Sequence, residues 1–172
     1  VTITYTEELT DETYWAKVEF YNGQNGSFNG NTAPKFVKKS ENNTLAQVTE
    51  GLMPTPSPHY SFDGWYKATS NGSNKTGQKL ADDTAINASI KLFANFEETE
   101  GEWFDLKFVS GPHGTIEGSR TSHVEIGTSW SSLALPSTLP DNFYMFGGWF
   151  DENGNRMQNA QTINADQTYT AR

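Results

Sequence analysis

An internal repeat constrains the fold of this chain more than any other feature, because two copies of one pattern fold into two copies of one structure. Residues 15–23 align with residues 103–111 at an offset of 88, and the match continues through a series of glycines. Residues 60–66 align with residues 144–150 at an offset of 84. The segments that close the two copies align at an offset of 77. The lost residues fall between the aligned blocks, as expected for a common core with variable loops.

The repeat predicts three parts along the chain. Residues 11–98 form repeat module 1 and residues 99–172 form repeat module 2. Residues 1–10 are predicted to be the closing strand of a preceding repeat or an N-terminal extension, because residues 1–5 alternate apolar and polar residues as 92–96 do. We therefore expect the array to continue in both directions.

The alternation of apolar and polar residues predicts a strand over 17–21 and its counterpart over 105–109. The glycine-flanked segments 23–26 and 111–114 predict hairpin turns. The second hairpin arms are expected at 27–37 and 115–126.

A short helix is predicted next, because Leu45, Val48 and Leu52 are spaced near one helical turn, and prolines end it. Strands are predicted again over 84–86 and 91–96. This order of elements predicts an α+β, mostly β fold class: two tandem β-grasp-like repeat modules, each a small sheet with one short helix.

The most informative block is Phe-x-Gly-Trp. In a regular strand Phe62 and Trp65 would point to opposite faces. A bulge at Gly64, and a matching one at Gly148, would turn both large rings toward the core. The structural motif residues of the two copies are Phe62, Gly64, Trp65 and Tyr66, and Phe146, Gly148, Trp149 and Phe150.

These motifs resemble the Listeria–Bacteroides repeat, a family that includes the B repeat of internalin-type bacterial surface proteins. The resemblance rests on Phe-Asp-Gly-Trp-Tyr at 62–66 and on the closing segment 92–96, with their counterparts in module 2. Two positions depart from the family pattern, with Gly147 in place of Asp and Phe96 in place of a closing Trp.

The resemblance implies β-grasp-like modules of a secreted or wall-attached bacterial protein, with an extracellular, cell-surface location. The function that it implies is a non-catalytic spacer or stalk in adhesion. The alternative is an adhesive module that binds a host protein or a glycan. The implied partners are neighbouring repeats of the same chain, and in the alternative a host surface protein or glycan.

Composition limits the remaining classes of function. The net charge of −9 would repel a phosphate backbone, so we expect no nucleic-acid partner. No apolar stretch is long enough to span a bilayer, so we expect no membrane insertion. The absence of cysteine excludes disulfides and thiolate chemistry. The three histidines lack metal-ligand spacing, so we predict no metal site and no cofactor. We also predict no enzyme, because no Gly-x-Ser-x-Gly elbow is present and the acidic residues cluster in linkers and loops.

Three tryptophans lie outside the repeated core block. Trp15 and Trp103 flank the segment that joins the modules, and we predict that they pack between neighbouring modules. Trp130 has no aromatic counterpart in module 1, which makes it a candidate ligand contact for sugar stacking, although local packing is the favoured interpretation.

Overall fold

The computed structural model describes Leu9 and residues 11–172. The predicted closing strand within residues 1–10 therefore lies outside the described residues, apart from Leu9. The chain divides into two compact units between residues 97 and 98, one residue before the predicted boundary, and from here on module 1 and module 2 denote these two units.

From residue 11 onward, module 1 has seven strands and one short helix: β1 (Trp15–Asn22), β2 (Gly26–Asn29), β3 (Lys35–Lys38), α1 (Leu45–Thr49), β4 (Met53–Pro56), β5 (Tyr60–Ala68), β6 (Lys75–Thr76) and β7 (Ile90–Glu98). The main sheet has the order β3-β1-β7-β5-β6, and β2 pairs with β4 in a separate two-stranded sheet. The two central strands β1 and β7 run parallel, with Phe20 opposite Leu92.

Module 2 repeats this arrangement with shorter elements: β8 (Trp103–Ser110), β9 (Gly114–Glu117), β10 (Thr121–Glu125), the 3-10 helix η1 (Trp130–Ser132), β11 (Ser137–Pro140), β12 (Trp149–Phe150) and β13 (Gln167–Ala171). Its main sheet has the order β10-β8-β13-β12, and β9 pairs with β11. The central strands β8 and β13 are parallel, with Phe108 opposite Tyr169. Both modules are therefore mostly β with one short helix each, as the sequence predicts.

The glycine-rich segments after β1 and β8 are corners rather than the hairpin turns that the sequence predicts. β1 pairs with β3, and β2 pairs with β4, so the expected second hairpin arm is split between two sheets. The Gly23 amide donates to the Ala94 carbonyl at 2.8 Å, which holds the corner against the last strand of the module. A Cβ atom on Gly23 would lie 2.4 Å from that carbonyl oxygen, so the close approach requires glycine.

The helical segment of each module is confirmed and begins after a cap residue. Thr44 caps α1 in a capping box with Gln47, which satisfies two amides that the helix itself leaves unpaired. Ser129 occupies the cap position of η1. The strand predicted over 84–86 is wrong, because Ala85 makes only an isolated bridge with Thr44.

One hydrophobic core lies in each module, and their members occupy matching positions. The core of module 1 contains Val18, Phe20, Phe28, Leu45, Val48, Leu52, Trp65, Ile86, Leu92, Ala94 and Phe96. The core of module 2 contains Leu106, Phe108, Ile116, Trp130, Trp149, Ile163, Tyr169 and Ala171. Each core is centred on the parallel strand pair and is closed by the tryptophan of the repeated block.

Candidate functional site

The repeated Phe-x-Gly-Trp block turns both of its rings toward the core of module 1. Trp65 is buried and Phe62 packs against it, with ring centroids 5.9 Å apart. Gly64 between them has a φ of 147°, a value that side chains other than glycine rarely adopt, so the regular alternation of the strand is interrupted there. Tyr66, the last motif residue, is half-buried and donates its hydroxyl hydrogen bond to Asp63 at 2.6 Å.

The block of module 2 keeps the buried tryptophan but exposes more of its phenylalanine. Trp149 is buried, and Gly148 has a φ of 137°. Phe146 contacts Trp149 edge-on at 5.9 Å, yet 40% of its surface is exposed. Phe150 is half-buried beneath the Arg172 guanidinium, which lies 5.1 Å from the ring centroid.

Each motif glycine also lies beneath a basic side chain. A Cβ atom at Gly64 would be 2.5 Å from Cδ of Lys79, and one at Gly148 would be 2.5 Å from Nε of Arg156. Lys79 and Arg156 correspond at the offset of 77 that relates the closing segments. The glycine therefore serves two needs in both modules, an unusual backbone conformation and room for a long cationic stem.

Trp15 and Trp103 both lie at the start of the first strand of their module. The Lys38 ammonium lies 5.3 Å from the centroid of the Trp15 ring. The Trp103 ring stacks on His123, with centroids 5.3 Å apart and planes 7° apart. These contacts are internal to each module, and the packing of the two tryptophans between modules stays a prediction.

Trp130 lies in the core of module 2, which agrees with the favoured packing role and overturns the candidate ligand contact. It is 5% exposed, so its ring face is not available for sugar stacking. Trp130 directly follows the cap residue Ser129, as Leu45 follows Thr44, so it fills the place of a buried leucine.

The exposed apolar surface of module 2 lies elsewhere, and the sequence analysis missed it. Its members are Leu139, Phe143, Tyr144, Met145 and Phe146, all at least 40% exposed. Phe143 and Met145 correspond to His59 and Ser61 of module 1, so large apolar residues stand here in place of polar ones. This difference between the two modules is the feature of the sequence that could have indicated the exposed apolar surface.

A pocket of about 490 Å³ opens beside this surface. Its walls come from the corner after β8, from β11, from residues 144–146 and from the end of β13. His113 and Tyr144 stack in one wall with ring centroids 4.0 Å apart. Leu139, Met145 and Phe146 make the lining predominantly apolar. A pocket of this size and lining is suited to an apolar or aromatic group rather than to a charged one.

Module 1 carries a polar cluster centred on Asp63, which belongs to its repeated block. The Asp63 carboxylate accepts hydrogen bonds from Tyr66, from the Asn95 amide at 3.0 Å and from the Lys79 ammonium at 3.1 Å. Burial raises the pKa of Asp63, but these three hydrogen bonds outweigh it and hold the pKa below its usual value. The same hydrogen bond to Asp63 raises the pKa of Tyr66 to about 12.

The polar cluster of module 1 has no counterpart in module 2. Gly147 stands in place of Asp63, Phe150 in place of Tyr66, and Arg172 in place of Asn95. The cluster is therefore not required by the shared fold.

Module 2 carries a different charged cluster, centred on His123. Its Nδ1 lies 2.6 Å from the Asp105 carboxylate and its Nε2 lies 2.7 Å from that of Glu98. Hydrogen bonds to Asp105 and then to Glu98 raise the pKa of His123. Because the two carboxylates engage opposite nitrogens of one ring, they do not converge on a common point.

No group of His, Asp and Glu side chains in the part of the chain that the structure describes is arranged to hold a metal ion. Among the described residues, both helices are far too short and no helix has the apolar length needed to cross a bilayer.

Comparisons with protein-family models, with curated proteins and with solved structures find no match to this chain. Its function is therefore inferred from its own residues and geometry.

Proposed function

We propose that this chain is a non-catalytic tandem repeat of a bacterial cell-surface protein, acting as a spacer or stalk in adhesion. Each module is, in this proposal, a β-grasp-like repeat of the Listeria–Bacteroides type. The support is the strand order, in which the first and last long strands lie parallel at the centre of the sheet, with the short helix in the connection between them.

The observation that carries the proposal is the contrast between core and surface. The two modules keep the same central pairings, with Phe20 beside Leu92 in one and Phe108 beside Tyr169 in the other. The polar clusters around Asp63 and His123, in contrast, each belong to one module only. A spacer requires only that each copy folds and remains soluble, so its core is retained while its surface varies.

The apolar surface of module 2 favours a second candidate, an adhesive module that binds a host protein or glycan. Phe143 is fully exposed and Met145 is 85% exposed, and such residues mark binding surfaces when they cluster. Both have polar counterparts in module 1, so the fold does not demand them.

A binding screen of the full chain against glycans, mucin and matrix proteins tests the two candidates. The matched control is the double variant Phe143→Ser, Met145→Ser, which gives module 2 small polar residues where module 1 has His59 and Ser61. The spacer proposal predicts no specific binding by either protein. Specific binding that the double variant loses would replace the spacer with the adhesive module.

A further inference from the structure

The segment that joins the modules, residues 98–102, is fastened to the β10 side of module 2 at both of its ends. At its end the Ile126 amide donates to the Glu102 carbonyl at 2.8 Å. At its start the Glu98 carboxylate lies 2.7 Å from Nε2 of His123. The first of these anchors is a backbone hydrogen bond, whereas the second depends on two ionisable side chains.

The middle of the joining segment is an open turn. The Glu102 amide donates to the Thr99 carbonyl at 3.1 Å, which closes the turn. Gly101 within it has a φ of 79°, and a Cβ atom there would meet nothing within 4 Å. Glu98, Glu100 and Glu102 also bring three like charges into five residues, and their repulsion opposes a compact arrangement. A turn of this kind depends on its anchors for its order.

The His123 ring is oriented so that its two nitrogens face two different carboxylates. The ring stacks on Trp103 with planes 7° apart, which restricts the orientation of the ring plane. Asp105 lies directly opposite His123 in the pairing of β8 with β10, and its carboxylate is 2.6 Å from Nδ1. Glu98 engages Nε2 from the joining segment. At these distances both contacts are hydrogen bonds, and together they require a proton on each nitrogen.

The neutral His123 ring cannot satisfy both carboxylates, because it has one N–H donor and one lone pair. Loss of the second proton therefore sets a lone pair against one of the two carboxylates. Asp105 is the partner that stays, because the strand register fixes its position and its amide donates to the Asp166 carboxylate at 2.8 Å. Glu98 reaches the ring through a longer side chain and is not part of the pairing of β8 with β10, so Glu98 is the partner that leaves.

We propose that His123 is a pH-operated latch on the segment that joins the modules. The protonated ring holds the Glu98 carboxylate, and loss of the ring proton releases Glu98 and allows the turn at 99–101 to move. The shared fold does not require this device, because the matching pair in module 1 is Lys17 opposite Phe36. The order of the joining segment is therefore set by pH through one side chain.

The charges around the ring determine the direction of the switch. Hydrogen bonds to Asp105 and then to Glu98 raise the pKa of His123 and outweigh its partial burial. The other charged residues on the adjacent elements are Glu125 of β10, Lys107 of β8, Asp166 before β13, and Glu100 and Glu102 of the joining segment. Of these, the four acids favour the charged ring and Lys107 opposes it. The latch is therefore closed below the folded pKa of His123 and opens as the pH rises through it.

The test measures backbone order in the full chain by NMR relaxation between about pH 5 and pH 9, the range in which imidazole groups titrate. The order parameters of Thr99, Glu100 and Gly101 should fall from about 0.85, typical of a rigid backbone, to below about 0.6 as the His123 ring loses its proton. Order parameters that are equal on both sides of the midpoint of the ring titration would overturn the proposal.

Nuclear Overhauser contacts identify which carboxylate is released. Contacts between the side-chain protons of Glu98 and the His123 ring should be lost with the midpoint of the ring titration, whereas those between Asp105 and the ring should persist. Loss of the Asp105 contacts with retention of the Glu98 contacts would refute the latch, because the joining segment would then stay attached.

Two variants of the joining segment separate the latch from general effects of pH. In Glu98→Gln the side-chain amide can accept from the protonated ring and donate to the neutral ring, so the order of the segment should no longer change with pH although His123 still titrates. The matched control is Glu100→Gln, which removes one charge at an exposed residue of the same segment and should keep the pH dependence. An unchanged pH dependence in Glu98→Gln, or its loss in Glu100→Gln, would contradict the assignment of Glu98. These outcomes are independent of the binding screen, which tests Phe143 and Met145.

Discussion

Trp130 packs edge-on against Tyr169 in the core of module 2, with ring centroids 4.7 Å apart and planes 65° apart. The matching positions in module 1 hold two leucines, Leu45 and Leu92. The helix beside the larger pair is shorter: η1 has three residues, whereas α1 has five.

Truncation of this tryptophan should therefore destabilise module 2. We expect Trp130→Ala to lower the free energy of unfolding by about 3–5 kcal/mol, because it leaves a large cavity beside Tyr169. Trp130→Leu, which installs the module 1 residue, should cost less. Urea unfolding of the two variants measures both effects. A change below about 0.5 kcal/mol for Trp130→Ala would be the behaviour of a surface residue and would contradict the core assignment.

The two motif glycines should resist substitution by alanine. Gly64→Ala and Gly148→Ala force a side chain into a strained φ and against Lys79 or Arg156, and we expect each to cost about 1–3 kcal/mol. Thermal unfolding provides the measurement. Gly154→Asn is the control, because Gly154 has a φ of 81° with open space around it, a conformation that asparagine tolerates. Similar losses for the control and for Gly148→Ala would refute a specific role of the motif.

The contribution of the His123 cluster to the stability of module 2 should be lost when the pH is raised, and not when it is lowered. Its raised pKa means that the folded state favours the protonated ring, so this contribution is fully present below the unfolded pKa of about 6.5. It is lost as the pH rises through the folded pKa. NMR titration of the His123 ring measures this value directly. Asp105→Asn should move the pKa downward, and titration of the unaltered protein at or below 6.5 would contradict the geometry.

The Asp63 cluster should have the opposite dependence on pH. Its lowered pKa means that the contribution is present above the unfolded pKa of about 3.9 and is lost as the pH falls through the folded value. We expect Asp63→Asn to destabilise module 1 by about 1–3 kcal/mol at neutral pH, with the difference shrinking in acid. Urea unfolding at pH 7 and at pH 3 compares the two proteins. A difference that does not depend on pH would show that the charge of Asp63 is not involved.

The phenol of Tyr66 offers an independent check on the same cluster. Its pKa of about 12 predicts that its ultraviolet absorbance changes two pH units above that of a free tyrosine, provided that the module is still folded. Comparison with Tyr66→Phe, the residue of module 2, isolates this change. Ionisation near pH 10 would contradict the hydrogen bond to Asp63.

Local patterns predicted the elements that depend on local chemistry. The alternation in β1 and β8 and the helical spacing after Thr44 were sufficient to place those segments, because burial of one face fixes the period of a strand or helix. The inward turn of Phe62 and Trp65 also followed from the glycine between them. Local patterns did not predict which strand pairs with which. The expected hairpins were wrong because β2 and β9 pair with later strands instead.

The candidate site depended on residues that no local pattern connects. Gly114, Leu139, Phe146 and Arg172 line one pocket, yet they come from four separate segments. The sequence left two interpretations of Trp130 open, with packing favoured, because a lone tryptophan in a polar segment has the same local appearance in a core and on a surface.

The sequence by itself determined that the chain is mostly β with short helical segments, because alternating residues, glycines and prolines restrict the local backbone. Only the tertiary structure decided which strands pair, which tryptophan is buried and where a pocket opens. Those outcomes depend on contacts between segments distant in sequence, and the free energy of such contacts is set by volume and shape in three dimensions rather than by the pattern of neighbours along the chain.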